Sequence, residues 1–357
     1  MRWRLLMDRR VLAGLGAFAL AACGGWAWAS DARASSPFTP APAAVPTKGA
    51  TLRLGKCVNI SNMLEAPTEG AWGRAFRDSD MDLIAAKGFT GIRLPARFSA
   101  HAMREAPYTI DAGFLKRVHH IVDLATARGI AVIVDMHHYG DDAIFRDPLA
   151  EAPRFAALWR QIAVSFKDAP ASVYFELINE PHDKFDASNL MAVQAPALAA
   201  VRESNPTRPV VIDGPSWASL AEMIKTPFPD DPNIVPTFHY YDPANFGFDK
   251  APWMNPPVRE TFGSAADIEE LRGVLGRVQD FMRRTGRVPF VGELGAHERR
   301  AVDQRAIFYN LTSTAFASIG VQSCAWGFTN THQLWRDGTG WEPGIADGLA
   351  TVASLPR

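Results

Sequence analysis

Residues 111–138 read DAGFLKRVHHIVDLATARGIAVIVDMHH. Phe114, Leu115, Val118, Ile121, Val122 and Ala125 recur at spacings of three and four, which predicts an amphipathic helix over Asp111–Arg128. Gly129 stops it, and Ile130–His137 follows as a short β-branched run that ends in polar residues. The same alternation repeats along the chain. Strand-type runs are predicted at Leu52–Ile60, Phe89–Leu94, Ile130–His137, Ser172–Asn179, Pro209–Asp213, Ile234–Tyr240, Val288–Glu293 and Val321–Trp326. Helical spacing fills Asp78–Lys87, Asp111–Arg128, Pro153–Phe166, Leu190–Ser204, Ala266–Thr285 and Asp303–Ile319. Eight alternations predict an α/β fold, a single (β/α)8 TIM barrel over residues 50–357. A doubly wound open sheet is the rival, but no glycine-rich phosphate loop follows any run.

Composition sets the outer limits. The 357 residues are 47% hydrophobic, 10% aromatic and 21% charged, which excludes disorder and allows a large core. Lys+Arg 37 against Asp+Glu 38 leaves a formal charge of −1, so neither a nucleic-acid binder nor a membrane-surface protein is indicated. The expected partner is a neutral or small molecule, and the chain is expected to act as a monomer.

The N-terminal stretch reads as an address. Residues 1–22 carry Arg2, Arg4, Arg9 and Arg10 ahead of an apolar run, Val11 to Ala22, that is too short to span a bilayer, so an export signal is expected. The paired arginines resemble a twin-arginine signal. Leu20-Ala21-Ala22-Cys23 resembles a lipoprotein box, which makes Cys23 a lipidation candidate; cleavage after Ala29 or Ala34 is the alternative. Residues 23–49, with Pro37, Pro40, Pro42 and Pro46, are expected to form an extended tether, with folded structure beginning near Ala50. The expected location is therefore outside the cytoplasm, as an outer-membrane lipoprotein or a periplasmic or secreted product, with membrane contact only through the lipid.

In a barrel of this kind chemistry sits where strands end. Asn59, Arg93, His137, Asn179-Glu180, His239 with Tyr241, and Glu293 close six of the runs, and Trp326 closes the last. Two carboxylates on opposite sides of one mouth are the minimum equipment for cutting a glycosidic bond, one giving a proton and one attacking carbon. Glu180 and Glu293 fit those roles. Glu176 shares strand parity with Glu180 and is expected to be a buried partner for a cation such as Arg93, and Asp135 is read the same way. His119 and His120 fall in a helix and are expected to be structural. With no HExxH and no closely spaced cysteine pair, no metal or other cofactor is expected.

These residues resemble a known family. Phe175-Glu176-Leu177-Ile178-Asn179-Glu180-Pro181 is similar to the Asn-Glu-Pro signature of glycoside hydrolase family 5, the cellulase-like members of clan A. Ile92-Arg93-Leu94-Pro95, Asp135-Met136-His137-His138-Tyr139, His239-Tyr240-Tyr241, Gly292-Glu293 and Ala325-Trp326-Gly327 follow in the family's order, across Leu52 to Trp341. The resemblance implies retaining hydrolysis of an internal β-1,4-linked glucan. Glu293 would be the nucleophile and Glu180 the acid and then the base. Arg93 and Tyr241 would keep Glu293 ionised, Asn179 would bond the sugar 2-hydroxyl, and Asn59, His137, His138 and His239 would support or line the reacting subsite. Trp326 would be its stacking floor.

Loops carry the specificity expectations. Residues 62–73 resemble a segment of some family 5 glucanases, which favours β-glucan, while Trp217 and Trp253 are candidate sugar platforms. A mannanase, a β-1,3-glucanase and a non-catalytic glycan-binding lipoprotein remain alternatives. Cys57 and Cys324 lie on neighbouring strands facing inward, but in different barrel layers, so two buried free thiols are expected.

Overall fold

The computed structural model describes residues 36–139, 142–248 and 258–355. Eight parallel strands close on themselves in chain order: β1 (Cys57–Asn59), β2 (Gly91–Ala96), β3 (Ala131–Met136), β4 (Val173–Glu176), β5 (Val210–Asp213), β6 (Ile234–Tyr240), β7 (Phe290–Leu294) and β8 (Ser323–Ala325). The expected (β/α)8 barrel is present. Around it lie α1 (Asp78–Ala86), α2 (Ala112–Thr126), α3 (Pro148–Ser165), α4 (Leu190–Arg202), α5 (Ala265–Thr285) and α6 (Val302–Ser318).

Local chemistry explains the boundaries. Asp111 caps α2 by accepting from the Phe114 amide at 2.7 Å, and Gly129 at φ +71° turns the chain into β3. Its buried face is Val118, Ile121, Val122 and Ala125. Helix α3 starts at Pro148, earlier than the expected Pro153, because Asp147 supplies the cap and Pro148 takes a first-turn position where a missing N–H costs nothing. Pro153 sits inside the helix. No long helix joins β5 to β6; two single turns, Pro215–Ala218 and Leu220–Met223, do so. Among the described residues no helix is long and apolar enough to cross a membrane.

Inside the barrel the side chains are layered. Leu52, Leu54, Cys57, Ala131, Ile133, Tyr174, Val211, Val235, Phe290 and Cys324 form an apolar plug at the end where the strands begin. Two residues further along the strands the inward positions become Asn59, Asp135, Glu176, Asp213 and Thr237, all fully buried. Strand period two therefore stacks a polar floor on an apolar base.

Two expectations are corrected. Cys57 and Cys324 are disulfide-bonded, with Cα atoms 4.4 Å apart. Cys57 and Cys324 are register partners and both point into the apolar plug, so they lie side by side at bridging distance and not in different layers. The tether is also seated earlier than Ala50. Phe38 and Ala43 are buried, and the Ala41, Ala44 and Lys48 amides donate to the carbonyls of Ala317, Gly320 and Gly286, each at 2.9 Å. These carbonyls lie at helix ends, where the last turn leaves acceptors without intrahelical donors, and the extended strap supplies the missing N–H groups.

Candidate active site

Arg93 on β2 is the hub, and it has no exposed surface. Its Nε and Nη2 donate to the two Glu176 oxygens at 2.8 and 2.7 Å, and Nη2 also donates to Asn179 Oδ1 at 2.7 Å. Nη1 donates to Asn59 Oδ1 at 2.9 Å and to Glu293 Oε1 at 2.8 Å, while Asp135 Oδ2 lies 3.0 Å from Nη2. Burial works against the guanidinium charge, but Asp135, Glu176 and Glu293 outweigh it and hold Arg93 protonated. Glu176 and Asp135 are structural counterions, as expected. Asn59 is locked from its other end by donating to the Gly292 and Ala325 carbonyls at 3.1 and 3.2 Å.

Glu293 ends in a dense donor set. Besides Arg93, the Tyr241 hydroxyl donates to Oε2 at 2.6 Å, and His239 Nδ1 stands 3.6 Å away. Burial pushes its carboxyl above the ordinary value, opposed by His239, Arg93 and the Tyr241 hydrogen bond. Glu180 is less well served. Its Oε1 shares a hydrogen bond with His239 Nδ1 at 2.7 Å, and a quarter of its side chain faces the open cleft. Burial pushes it up to about 7. The two carboxylates therefore differ in proton affinity by environment, Glu180 keeping its proton to higher pH. One oxygen of each, together with His239 nitrogen, falls within a 4.8 Å span.

The imidazoles beside them are neutral. Burial pushes His137 well below its ordinary value, His138 to about 2 and His239 to about 4. His137 Nδ1 and Asp135 Oδ2 share a hydrogen bond at 2.8 Å, and burial pushes Asp135 up to about 7. Trp326 lies parallel to His137, ring centroids 5.3 Å apart. His138 meets the edge of Trp72 at 5.4 Å, and Trp72 carries the Arg97 guanidinium over its ring. Trp217 is 56% exposed and stacks on His182.

The expected site residues are thus brought to one mouth, with Trp217 on its rim. Trp253 and Cys23 lie outside the described residues. His119 stacks on Phe166 and His120 pairs with Asp78, away from the cleft. Sequence reading passed over Asp213, which closes β5 and accepts the Glu180 amide at 2.9 Å. Burial and then the neighbouring Glu176 charge push Asp213 well above its ordinary value, so it keeps its proton. Its position at a strand end was the available signal. His182 lies in a loop, where periodicity says nothing, and Phe248, in the aromatic-rich stretch after β6, stands 4.4 Å from Tyr241.

Glu180, His239 and Glu293, and likewise Glu176, Asp213 and His239, are close enough to ligate a cation. Both Glu293 oxygens, however, already accept from Arg93 and Tyr241, and the arrangement is equipped for proton transfer.

A cleft at the strand ends of a (β/α)8 barrel, with two facing carboxylates of unequal proton affinity and aromatic rings around them, holds the parts that cleavage of a glycosidic bond requires. The chain belongs to glycosyl hydrolase family 5, the cellulase family, whose model matches residues 55–332. It is 33% identical over 292 residues to endoglucanase H of Acetivibrio thermocellus, covering 82% of this chain and 31% of that protein. This chain thus spans about a third of that relative's length. Among solved structures, a hyperthermophilic endo-β-1,4-glucanase in complex with substrate superposes with TM-score 0.79 at 31% identity, covering 83% of this chain and 96% of that one. Cel5A of Thermotoga maritima in complex with mannotriose gives 0.80 at 29% identity, covering 83% and 97%.

Proposed function

We propose that the protein hydrolyses internal β-1,4-glucosidic bonds of cellulose-like or mixed-linkage glucans with retention of configuration. The observation that carries this reading is the close approach of Glu180 and Glu293, an oxygen of each within 4.8 Å. Such spacing suits direct attack by one carboxylate; inverting enzymes hold theirs about 6.5–9.5 Å apart to seat a water between. Glu180, protonated, gives its proton to the glycosidic oxygen as Glu293 attacks the anomeric carbon and the leaving sugar departs. Deprotonated Glu180 then takes a proton from water, whose oxygen displaces Glu293. Asn179 Oδ1 is occupied by Arg93, so Nδ2 is the donor turned to the sugar 2-hydroxyl. Trp326 is the floor of the reacting subsite, and Trp217 a platform on the leaving-group side.

The glucan assignment is supported by the names of the relatives and by the loop at residues 62–73. A mannan-type substrate is the second reading, because the Thermotoga neighbour was solved with both mannotriose and cellobiose. We also propose that the chain is exported, in line with its signal-like start; the Cys57–Cys324 bridge supports this, since disulfides persist in oxidising compartments.

The test is reducing-end release from a soluble cellulose derivative, mixed-linkage glucan, glucomannan, xyloglucan, xylan and β-1,3-glucan, with Glu293→Ala alongside. Turnover of the β-1,4-glucans is expected to fall to background in the variant. Proton NMR of the first-formed anomer should show the β form. An α product, or activity that survives in Glu293→Ala, contradicts the mechanism.

A further inference from the structure

Glu180 adopts φ +48°, a left-handed conformation that is uncommon for any residue with a Cβ and that persists only where neighbours impose it. Its peptide groups are held on both sides. Its amide donates to Asp213 Oδ2 at 2.9 Å, and its carbonyl oxygen lies 2.6 Å from His182 Nδ1. A carbonyl only accepts, so Nδ1 of His182 carries the proton.

The His182 ring cannot turn freely. One face packs on Phe145, with centroids 3.9 Å apart and planes 23° apart, and the ring stacks with Trp217 at 5.1 Å and 8°. Phe145 belongs to the loop after β3, His182 to the loop after β4 and Trp217 to the turn after β5. Backbone bonds tie the same loops together, Lys184 N–H to the Phe145 carbonyl and Trp217 N–H to the Pro181 carbonyl, both 3.1 Å. Trp217 also has positive φ, +56°, between Ser216 and Ala218 that share it. A strained turn is thus spent on placing Trp217 over His182, and His182 in turn grips Glu180.

We infer that His182 is a positioning residue for the acid, which holds the Glu180 backbone from its carbonyl side while stacked between Phe145 and Trp217. It touches no reacting atom; it fixes where the Glu180 proton is delivered. This rests on Glu180 acting as the proton donor. Misplacing a donor by about an ångström can cost on the order of 10²-fold in rate, so the loss falls on the step that needs the proton.

Leaving-group dependence separates positioning from general support. A phenyl leaving group needs the Glu180 proton, and a 2,4-dinitrophenyl group departs without it. His182→Phe keeps an aromatic ring in the column and removes the donor; His182→Asn offers Nδ2–H near the place of Nδ1–H. With phenyl and 2,4-dinitrophenyl β-cellobiosides, kcat/KM isolates bond cleavage from later hydrolysis. His182→Phe is expected to lose about tenfold or more on the phenyl substrate and no more than about twofold on the dinitrophenyl one. His182→Asn is expected to recover most of the phenyl rate. Equal losses on both substrates, or no loss on either, overturn the inference. Glu180→Ala provides the reference: if it shows the leaving-group split and His182→Phe does not, only the role of His182 falls, whereas if it shows none, the proton-donor role and this inference fall together.

Discussion

At the scale of single residues, the two carboxylates set the pH profile. In the proposed double displacement Glu293 must be ionised to attack, and burial has moved its carboxyl above the ordinary value of 4.5, so the rising limb of kcat/KM should lie above that value. Glu180 must be protonated, and activity should fall as pH rises through about 7. The two groups share His239, and Glu180 raises the proton affinity of Glu293, so the limbs report the pair. Tyr241→Phe tests the donor set. It removes a 2.6 Å hydrogen bond that favours ionised Glu293, which lets the carboxyl rise further. The rising limb should move to higher pH by about one unit, the value of one hydrogen bond to a charged group, while the falling limb stays near its place. Measurement of kcat/KM from pH 4 to pH 9 checks this. A limb that moves downward removes Tyr241 as a stabiliser of the Glu293 charge.

At the scale of elements, the site depends on an irregularity in β7. Strict alternation from inward-facing Phe290 would send Gly292 into the barrel and Glu293 out of it. Instead the β6–β7 register jumps, so that Phe238 opposes Val291 and His239 opposes Glu293. Gly292 is the extra residue of a β-bulge, and the bulge turns Glu293 inward beside His239. A Cβ on Gly292 would sit 2.8 Å from His239 Nε2 and 3.0 Å from Thr237 Oγ1. Gly292→Ala should therefore cost about 1–3 kcal/mol in a denaturant melt and lower kcat/KM by displacing His239 from Glu180. Unchanged kinetics would show that His239 has room to yield. This element also marks the limit of what sequence could give. Strand runs, glycine stops and polar strand ends located Arg93, Glu180 and Glu293, because period-two alternation and helical spacing are local properties. The bulge at Gly292, the packing of His182 against Phe145 and Trp217 and the pairing of Asp213 with Glu176 depend on contacts between elements, which local periodicity does not encode. Asp213 was visible as a strand end, but nothing in its own strand revealed which carboxylate it would face.

At the scale of the whole molecule, the question is how a barrel made from one chain stays closed. The seam joins β1 to β8, two strands of only three residues each, and at its upper end stand Asn59, which holds Arg93, and Trp326, the proposed sugar floor. Two devices reinforce that seam. The strap of residues 36–49 binds the far ends of helices and strands and pairs with the last described residues, Ala43 N–H donating to the Ser354 carbonyl and Ala353 N–H to that of Ala41, at 2.9 and 2.8 Å. The Cys57–Cys324 bridge joins the first and last strands across a separation of 267 residues. A link that long removes much chain entropy from the unfolded state, about 5.6 kcal/mol in the loop-closure picture and about 2–4 kcal/mol in typical measurements. The paired variant Cys57→Ala with Cys324→Ala should therefore unfold at lower guanidinium concentration, losing about 2–5 kcal/mol, while residual activity at 25 °C reports how far the seam positions Asn59 and Trp326. Residues 36–357 of the parent, unfolded without reductant, should present no titratable thiol, and after reduction two. A full complement of thiols before reduction would mean that the seam is closed by hydrogen bonds and packing alone, and the paired variant would then match the parent in stability.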